Sequence, residues 1–280
     1  MELKSILCPI DFSEAGVQAL KYAAILSSRF NSTLHVFHSC HVPTSITEAI
    51  GIDTSTEIIY DNEEVYRKKI EKLLQEVITE ELKDIQYNII VRYGFASDAI
   101  AEVTEEVHAD LVVMYTSGAD NFLQYMLGTV TGHVLKNVLC PVLIVPHDFI
   151  FNGTIKEIVY ATDLLTEAED SVESVVALAK KFEAHISFIS IESHAVAERR
   201  NLVPYALNEL LQKTSYTHIS FHINESEHVI EGLRVFAAER DADLLVMTTR
   251  SRNFIKNVIE KSKTREIVFH STIPVLAFHK

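Results

Sequence analysis

The sequence predicts an α/β fold of two tandem five-stranded, mainly parallel sheets with helices on both faces. Short continuous apolar runs alternate with segments of helical periodicity, an order typical of a parallel sheet covered on both sides. A pattern beginning Ala-Asp-Leu occurs twice, at 109–114 and 242–247, and each copy is followed at the same interval by Pro-Val-Leu, at Pro141 and Pro274. A length of 280 residues favours two domains of ordinary size. The chain therefore resembles a duplicated unit.

The first copy begins with the run at 6–10, which is apolar throughout, as expected of a strand buried on both faces. Helical spacing follows over residues 14–30, and a long amphipathic helix carries apolar residues from Tyr66 to Ile78 on one face. The remaining predicted strands are 34–38, 86–92, 111–114 and 142–145, and the remaining predicted helices are 97–107 and 129–138.

The second copy repeats this order. Thr166 with Glu169 forms a capping box that opens a helix, and Pro204 suits the first turn of the next one. The predicted strands are 158–162, 186–189, 218–223, 244–247 and 275–278. The matched fifth strands of the two copies predict that the halves pair as a pseudo-dimer, because pairing covers exposed strand edges.

The boundaries follow from turn signals. Asn152-Gly153 indicates a turn, so we expect a first domain at 1–148 and a second at 153–280. The first copy is longer between its matched anchors, and the extra residues fall most naturally at 40–61, a polar stretch expected to be a long loop. A tolerated surface insertion explains this stretch as well as a binding loop does.

Composition excludes some partners. A formal net charge of −14 argues against nucleic acid and anionic membranes, which require a basic surface. No apolar run is long enough to span a bilayer, and the start lacks a secretory pattern. The three cysteines share no short spacing, which indicates free thiols and a cytoplasmic location.

In open parallel sheets, ligands bind outside the carboxyl ends of the strands. Three candidates lie there: Asp11 after the first strand, the turn after Met114, and Gly128-Thr129 before a helix. A glycine lets a phosphate approach the backbone, and free N–H groups at a helix start attract anions. Asp11 would accept a hydrogen bond from a ribose hydroxyl or an adenine edge. A simple turn with a helix cap explains Gly128-Thr129 equally well.

Taken together, these residues resemble the universal stress protein family. The segment 128–145 is similar to that family's ending, and 6–13 to its beginning. The resemblance covers both halves and implies a tandem protein of two five-stranded units, adenine-nucleotide α-hydrolase-like and Rossmann-like. It also implies an adenine nucleotide such as ATP, with magnesium only as its companion, surrounded by Pro9, Asp11, Met114, Tyr115, Gly118, Gly128, Thr129 and Val130.

The chain departs from the family pattern in both halves. Tyr115 stands where the first motif glycine is expected, and the loop that follows carries Asp120 and no Lys or Arg, so we expect any nucleotide to be bound weakly. The second half has lost all three glycines and has a basic loop instead. The basic residues form either a solvated face or an anion site made by Arg250, Arg252, Lys261 and Ser262.

Other groupings are weaker. His35 and His38 lie on opposite faces of a predicted strand, so we predict no metal site. Cys8 and Cys140 lie in or beside apolar strands, where thiols are usually inert.

Three functions remain open. The preferred one is a non-catalytic stress-response protein with a degenerate nucleotide site in its first domain and an anion site in its second. The alternatives are an interaction module that binds nothing small, and a slow ATP hydrolase. The protein partner is unknown, and a homodimer is open in each case.

Overall fold

The computed structural model describes residues 3–40, 55–116, 129–162, 169–192, 212, 214–249 and 272–279. By its internal contacts the chain divides into two compact units. The first contains residues 3–117 and 127–140, and the second consists mainly of residues 141–280.

The first unit is built on a parallel sheet in the order β3-β2-β1-β4. Ser5 of β1 lies opposite Thr33 of β2, and Ile6 of β1 lies opposite Leu111 of β4. All of β1 is buried, which explains its continuous apolar sequence. The strands are β1 (Ser5–Pro9), β2 (Thr33–Cys40), β3 (Tyr87–Tyr93) and β4 (Leu111–Tyr115).

Helices connect these strands, close to where the periodicity predicts them. The first is capped at Ser13, whose Oγ accepts a hydrogen bond from the Gly16 N–H, and it ends at Asn31 in the left-handed conformation. A 3-10 turn occupies Glu80–Leu82. The helices are α1 (Glu14–Phe30), α2 (Ser55–Val77), α3 (Ala96–Glu106) and α4 (Thr129–Asn137).

The second unit has the strand order β5-β10-β9-β6-β7-β8. Neighbouring strands in this order pair in parallel, except β5 and β10, which are antiparallel. Its strands are β5 (Val142–Val145), β6 (Glu157–Ala161), β7 (His185–Glu192), β8 (Ile219–Glu225), β9 (Leu244–Thr249) and β10 (Val275–His279). Its helices include α5 (Glu169–Phe182) and α6 (Val229–Glu239).

The fifth strand of the first repeat belongs to the second unit. In β5, Ile144 lies opposite Val275 and Val142 lies opposite Ala277 of β10. The last strands of the two repeats therefore pair, as their matched sequences predicted. The domain limits 1–148 and 153–280 describe the sequence repeat and stay a prediction.

The repeated Ala-Asp-Leu pattern has a structural role in each unit. Asp110 Oδ2 accepts hydrogen bonds from the backbone N–H groups of Lys4 (2.7 Å) and Ser5 (3.0 Å). Asp243 Oδ2 accepts the equivalent bonds from Lys156 (2.6 Å) and Glu157 (3.0 Å). Asp110 thus joins the start of β4 to the start of β1, and Asp243 joins the start of β9 to the start of β6.

The expectation of a loop over 40–61 is wrong in its last part, because α2 begins at Ser55. The helix extends N-terminally of the apolar face that predicted it, which begins at Tyr66. Residues 41–54, the capping box at Thr166 and the helix at Pro204 lie outside the described residues. Among the helices within the described ranges, none has the length and apolar character needed to cross a membrane.

Candidate functional site

The loop after β1 holds the candidate site. The Ile10 N–H donates to the Phe37 carbonyl (2.8 Å), which continues the pairing of β1 with β2 beyond Pro9. Phe12 then adopts a left-handed conformation with φ of 66°. This conformation is uncommon for a residue other than glycine, and it turns the chain from the strand into α1. Asp11 is left at the carboxyl edge of the sheet with its side chain exposed to solvent.

The Asp11 carboxylate accepts three hydrogen bonds. Its Oδ1 accepts from the Ser13 N–H (2.9 Å) and the Ser13 hydroxyl (2.6 Å), and its Oδ2 accepts from the Tyr115 hydroxyl. Partial burial acts to raise the pKa of Asp11, but the bonds from Ser13 and Tyr115 favour the charged form and lower the pKa below its ordinary value. Asp11 is therefore a carboxylate at neutral pH.

Tyr115 ends β4 and reaches across to Asp11. Burial, followed by the hydrogen bond to the Asp11 carboxylate, raises the pKa of Tyr115 to about 12. The phenol is therefore a neutral donor at physiological pH. The Tyr115 carbonyl accepts a long hydrogen bond from Thr131 Oγ1 (3.5 Å) in the first turn of α4, so the end of β4 is linked to the start of that helix.

Gly16 lets this pair lie against α1. A Cβ at position 16 would lie 2.9 Å from Asp11 Oδ1 and 3.3 Å from Ser13 Oγ. The same Cβ would lie 3.6 Å from Tyr115 Cε1. Any larger residue at position 16 would displace the carboxylate, so the Asp11 side chain packs directly against the first turn of α1.

An aromatic group adjoins the loop. His38 Nδ1 donates to the Ile10 carbonyl (2.8 Å), and the His38 ring lies 4.8 Å from Phe12 and 4.6 Å from Tyr66, measured between centroids. Because a carbonyl only accepts, this contact assigns the proton to Nδ1. His38 therefore fixes the backbone of this loop.

The predicted nucleotide-binding residues are only partly brought together. Asp11 and Tyr115 are in contact, Pro9 and Met114 are buried at the ends of β1 and β4, and Thr129 opens α4. Val130 is half-buried in the first turn of α4, and Gly118 and Gly128 lie outside the described residues.

The predicted anion site of the second domain also lies outside the described residues. β9 ends at Thr249, directly before the basic loop. The residues concerned are Arg250, Arg252, Lys261 and Ser262.

Two structural participants were missed from the sequence. Ser13 caps α1 and holds Asp11, and a serine directly before an amphipathic helix is a signal that predicts a cap. Gly16 provides space for the carboxylate, and a single glycine inside a helix carries no signal that names its neighbour.

The histidines and cysteines do not form a metal centre in the described part of the chain, where no group of three His, Cys, Asp or Glu residues could hold an ion. Burial raises the pKa of the Cys8 thiol far above its usual range and that of Cys140 to about 12. Burial, with a smaller contribution from Glu63, raises the pKa of Cys40 to about 11. All three thiols are therefore protonated near neutral pH.

Comparison with known proteins identifies the family. The model of the universal stress protein family matches residues 2–146 and again 154–279. This chain belongs to the universal stress protein family. The resemblance noted in the sequence is thereby confirmed, as is the tandem arrangement.

Relatives of one and two domains match accordingly. A universal stress protein of Methanocaldococcus jannaschii is 27% identical over 148 residues, which cover 51% of this chain and 81% of that protein. One from Synechocystis is 20% identical over 300 residues, covering 99% of this chain and all of that protein. A solved universal stress protein from Archaeoglobus fulgidus covers 100% of this chain and 97% of its own, with 21% identity and a TM-score of 0.75, and so confirms the α/β fold.

Proposed function

We propose that this chain is a non-catalytic stress-response protein whose first domain binds an adenine nucleotide, such as ATP, weakly. The ligand lies at the carboxyl ends of β1 and β4. Asp11 accepts a hydrogen bond from it, and the start of α4 faces its phosphates. Any magnesium accompanies the nucleotide.

One observation carries this proposal: the Asp11 carboxylate is exposed, charged and fixed at the carboxyl edge of a parallel sheet. Ligands of such sheets bind at this edge. The same observation supports weak binding, because Ser13 and Tyr115 already donate to the carboxylate. A ligand has to share or replace these donors.

Calorimetric titration with ATP tests the proposal on the wild type, Asp11→Ala and the control Asp84→Ala. Asp84 is an exposed aspartate in the turn before β3. We expect shallow saturation in the wild type and the control, and a marked loss of affinity in Asp11→Ala. Equal affinity in all three proteins contradicts a role for Asp11, and submicromolar affinity of the wild type contradicts weak binding.

The alternative is an interaction module that binds no small molecule. The three internal donors to Asp11 favour it, since they satisfy the carboxylate without a ligand. Mass spectrometry of molecules released from the purified protein separates the two: a bound nucleotide supports the site, and its absence together with a flat ATP titration supports the module. Slow ATP hydrolysis has less support, because Asp11 is engaged within its own loop and with Tyr115 rather than placed to activate water.

For the second domain we propose an anion site in the basic loop, formed by Arg250, Arg252, Lys261 and Ser262. A guanidinium holds two oxygens at once, and a serine at a helix start adds a hydroxyl near free N–H groups. Phosphate titrated into the wild type and an Arg250→Ala/Arg252→Ala variant is the test. Equal affinity, or no binding in either at millimolar phosphate, leaves the loop a solvated surface.

We further infer a cytoplasmic location, supported by cysteines that are all unpaired thiols. We also propose that the two domains associate as a pseudo-dimer. Its support is the antiparallel pairing of β5 with β10, the last strands of the two repeats. An additional homodimer and an unidentified protein partner are compatible with this arrangement.

A further inference from the structure

We propose that Tyr115 acts as a hydrogen-bonding lock on Asp11 and thereby sets the affinity of the first domain for its nucleotide. This inference rests on the proposed function of the same site. The sequence suggested that the bulk of the Tyr115 side chain weakens nucleotide binding, whereas this inference assigns the weak binding to the hydroxyl group. The two explanations predict different effects of removing the hydroxyl and of removing the ring.

The acceptor capacity of Asp11 is nearly used. A carboxylate offers about four lone-pair positions, two on each oxygen. On Oδ1, both are taken by the N–H and the hydroxyl of Ser13. On Oδ2, one is taken by the Tyr115 hydroxyl. A ligand that brings two donors to this carboxylate therefore has to displace the phenol.

Ser13 is not a substitute for Tyr115 in this role. The Ser13 hydroxyl also accepts the Gly16 N–H (3.1 Å) as the cap of α1, so moving it would open the start of the helix. Tyr115 comes from another part of the chain, and no backbone hydrogen bond of a helix depends on its hydroxyl. Of the two donors, Tyr115 is the one that a ligand displaces at lower cost.

Neighbouring groups hold the Asp11 carboxylate and the Tyr115 hydroxyl in contact. The carboxylate lies close to the backbone of Gly16, since a Cβ at that position would lie only 2.9 Å from Oδ1. The backbone of Tyr115 is fixed by β4 and by the bond from Thr131. The phenol is protonated at neutral pH, so it remains a donor throughout the physiological range.

The lock and simple crowding are distinguished by two substitutions. Tyr115→Phe keeps the ring and removes the hydroxyl, whereas Tyr115→Ala removes both. If the hydroxyl is responsible, its removal is sufficient, and Tyr115→Phe strengthens ATP binding although the ring remains. Because a hydrogen bond to a charged group is among the stronger ones, we expect about a tenfold lower Kd for ATP.

The experiment is calorimetric titration of ATP into the wild type, Tyr115→Phe, Tyr115→Ala and the control Tyr87→Phe. Tyr87 is an exposed tyrosine on β3 and lies away from Asp11 along the chain and in the sheet. Circular dichroism and thermal unfolding establish that each variant is folded. The lock predicts about a tenfold lower Kd in Tyr115→Phe and an unchanged Kd in Tyr87→Phe.

The other outcomes separate the two proposals. Measurable binding that is equal in wild type and Tyr115→Phe overturns the lock and leaves the nucleotide site standing. Tighter binding in Tyr115→Ala alone assigns the weakness to the ring and also overturns the lock. Weaker binding in Tyr115→Phe makes the hydroxyl a ligand contact instead. Absence of ATP binding in all four proteins overturns the proposed function, and the lock with it.

Discussion

Among single residues, the loop after β1 combines a strained backbone with a charged acceptor. A left-handed conformation at a bulky residue such as Phe12 costs on the order of 1 kcal/mol. The two bonds from Ser13 to Asp11 offset it, because an aspartate that binds the backbone two residues on stabilises this kind of turn. The strain is therefore tied to the orientation of the one carboxylate on which the proposed ligand depends.

Gly16 offers a test of this arrangement that requires no ligand. In Gly16→Ala the new Cβ displaces the Asp11 carboxylate and weakens its bond to Tyr115. We expect the pKa of Tyr115 to fall from about 12 toward its ordinary value of 10.0, since one cause of the rise is lost while burial remains. NMR of protein labelled with carbon-13 at tyrosine checks this at about pH 11, where the wild-type phenol is still mostly protonated and a lowered pKa increases the ionised fraction.

Two further variants serve as controls for this measurement. Asp11→Asn removes the charge and is expected to lower the pKa of Tyr115 in the same direction. Ser28→Ala, at the other end of α1, leaves it unchanged. A Tyr115 pKa that is the same in Gly16→Ala and the wild type shows that the carboxylate keeps its place beside the new methyl group.

At the scale of elements, the repeated aspartates explain why the Ala-Asp-Leu pattern survives in both halves while the loops diverge. Each accepts two backbone N–H groups that start a central strand. Bonds to a charged acceptor are stronger than neutral ones, and their loss removes the acceptor of two N–H groups at the start of β1 or β6. The common pattern is therefore structural, and the difference between the halves lies in the loops beyond it.

We predict that Asp110→Ala and Asp243→Ala each lower the free energy of unfolding by about 1–2 kcal/mol, because two charge-assisted bonds at a partly exposed strand end are lost. Urea unfolding followed by circular dichroism measures the change. Asp84→Ala, an exposed turn position, is the control and should stay within about 0.5 kcal/mol of wild type. A similarly small change in Asp110→Ala would mean that water replaces the carboxylate without cost.

A polar network joins three strands and a helix end in the second unit. Arg240, just after α6, donates to His222 Nε2 on β8 (2.9 Å), and Ser220 lies 2.8 Å from the same nitrogen. Glu157 accepts from His185 and from Ser187, which lies near Ser220. Because Arg240 only donates, His222 Nε2 must be unprotonated for this bond to form.

This network makes stability depend on pH. Burial first, and then the charges of Arg240 and His185, lower the pKa of His222 below its ordinary 6.5, against a smaller opposing effect of Glu157. A lowered folded-state pKa means that the unfolded chain binds the proton more readily, so this stability is complete above about pH 6.5 and declines as the pH falls through the folded value. We therefore predict that His222→Gln flattens the pH dependence of the unfolding temperature between about pH 6.5 and 5.

Differential scanning fluorimetry across that range measures the effect. His147→Gln, which changes an exposed histidine paired with Asp148, is the matched control and should retain the wild-type pH dependence. An unchanged slope in His222→Gln would place the acid-sensitive group elsewhere.

The same elements show how far the sequence could be interpreted. Buried strands such as β1 and the helix 14–30 were predicted because apolar periodicity follows directly from which faces are buried. The contact between Asp11 and Tyr115 joins residues 104 positions apart, and no local spacing encodes it. The family resemblance placed both residues at one site, but their hydrogen bond follows from the turn at Phe12 and the space above Gly16.

For the whole molecule, the central feature is that β5, the last strand of the first repeat, pairs with the last strand of the second. It pairs antiparallel with β10, whose other neighbour is β9. Val275, Leu276 and Ala277 of β10 are each at most 7% exposed. β10 is therefore an interior strand only while β5 is present, although β5 lies before the turn at Asn152 that the sequence suggests as the boundary.

This leads to a prediction about fragments. A fragment of residues 141–280 retains β5, keeps β10 paired on both sides and should fold cooperatively. A fragment of residues 153–280 leaves the β10 edge unpaired, and an apolar, exposed edge pairs with other chains. We expect the shorter fragment to self-associate with increasing concentration and to unfold at a lower temperature. Size-exclusion chromatography with light scattering and thermal unfolding measure both, and the same mass and unfolding temperature in the two fragments would mean that β10 needs no partner strand from the first repeat.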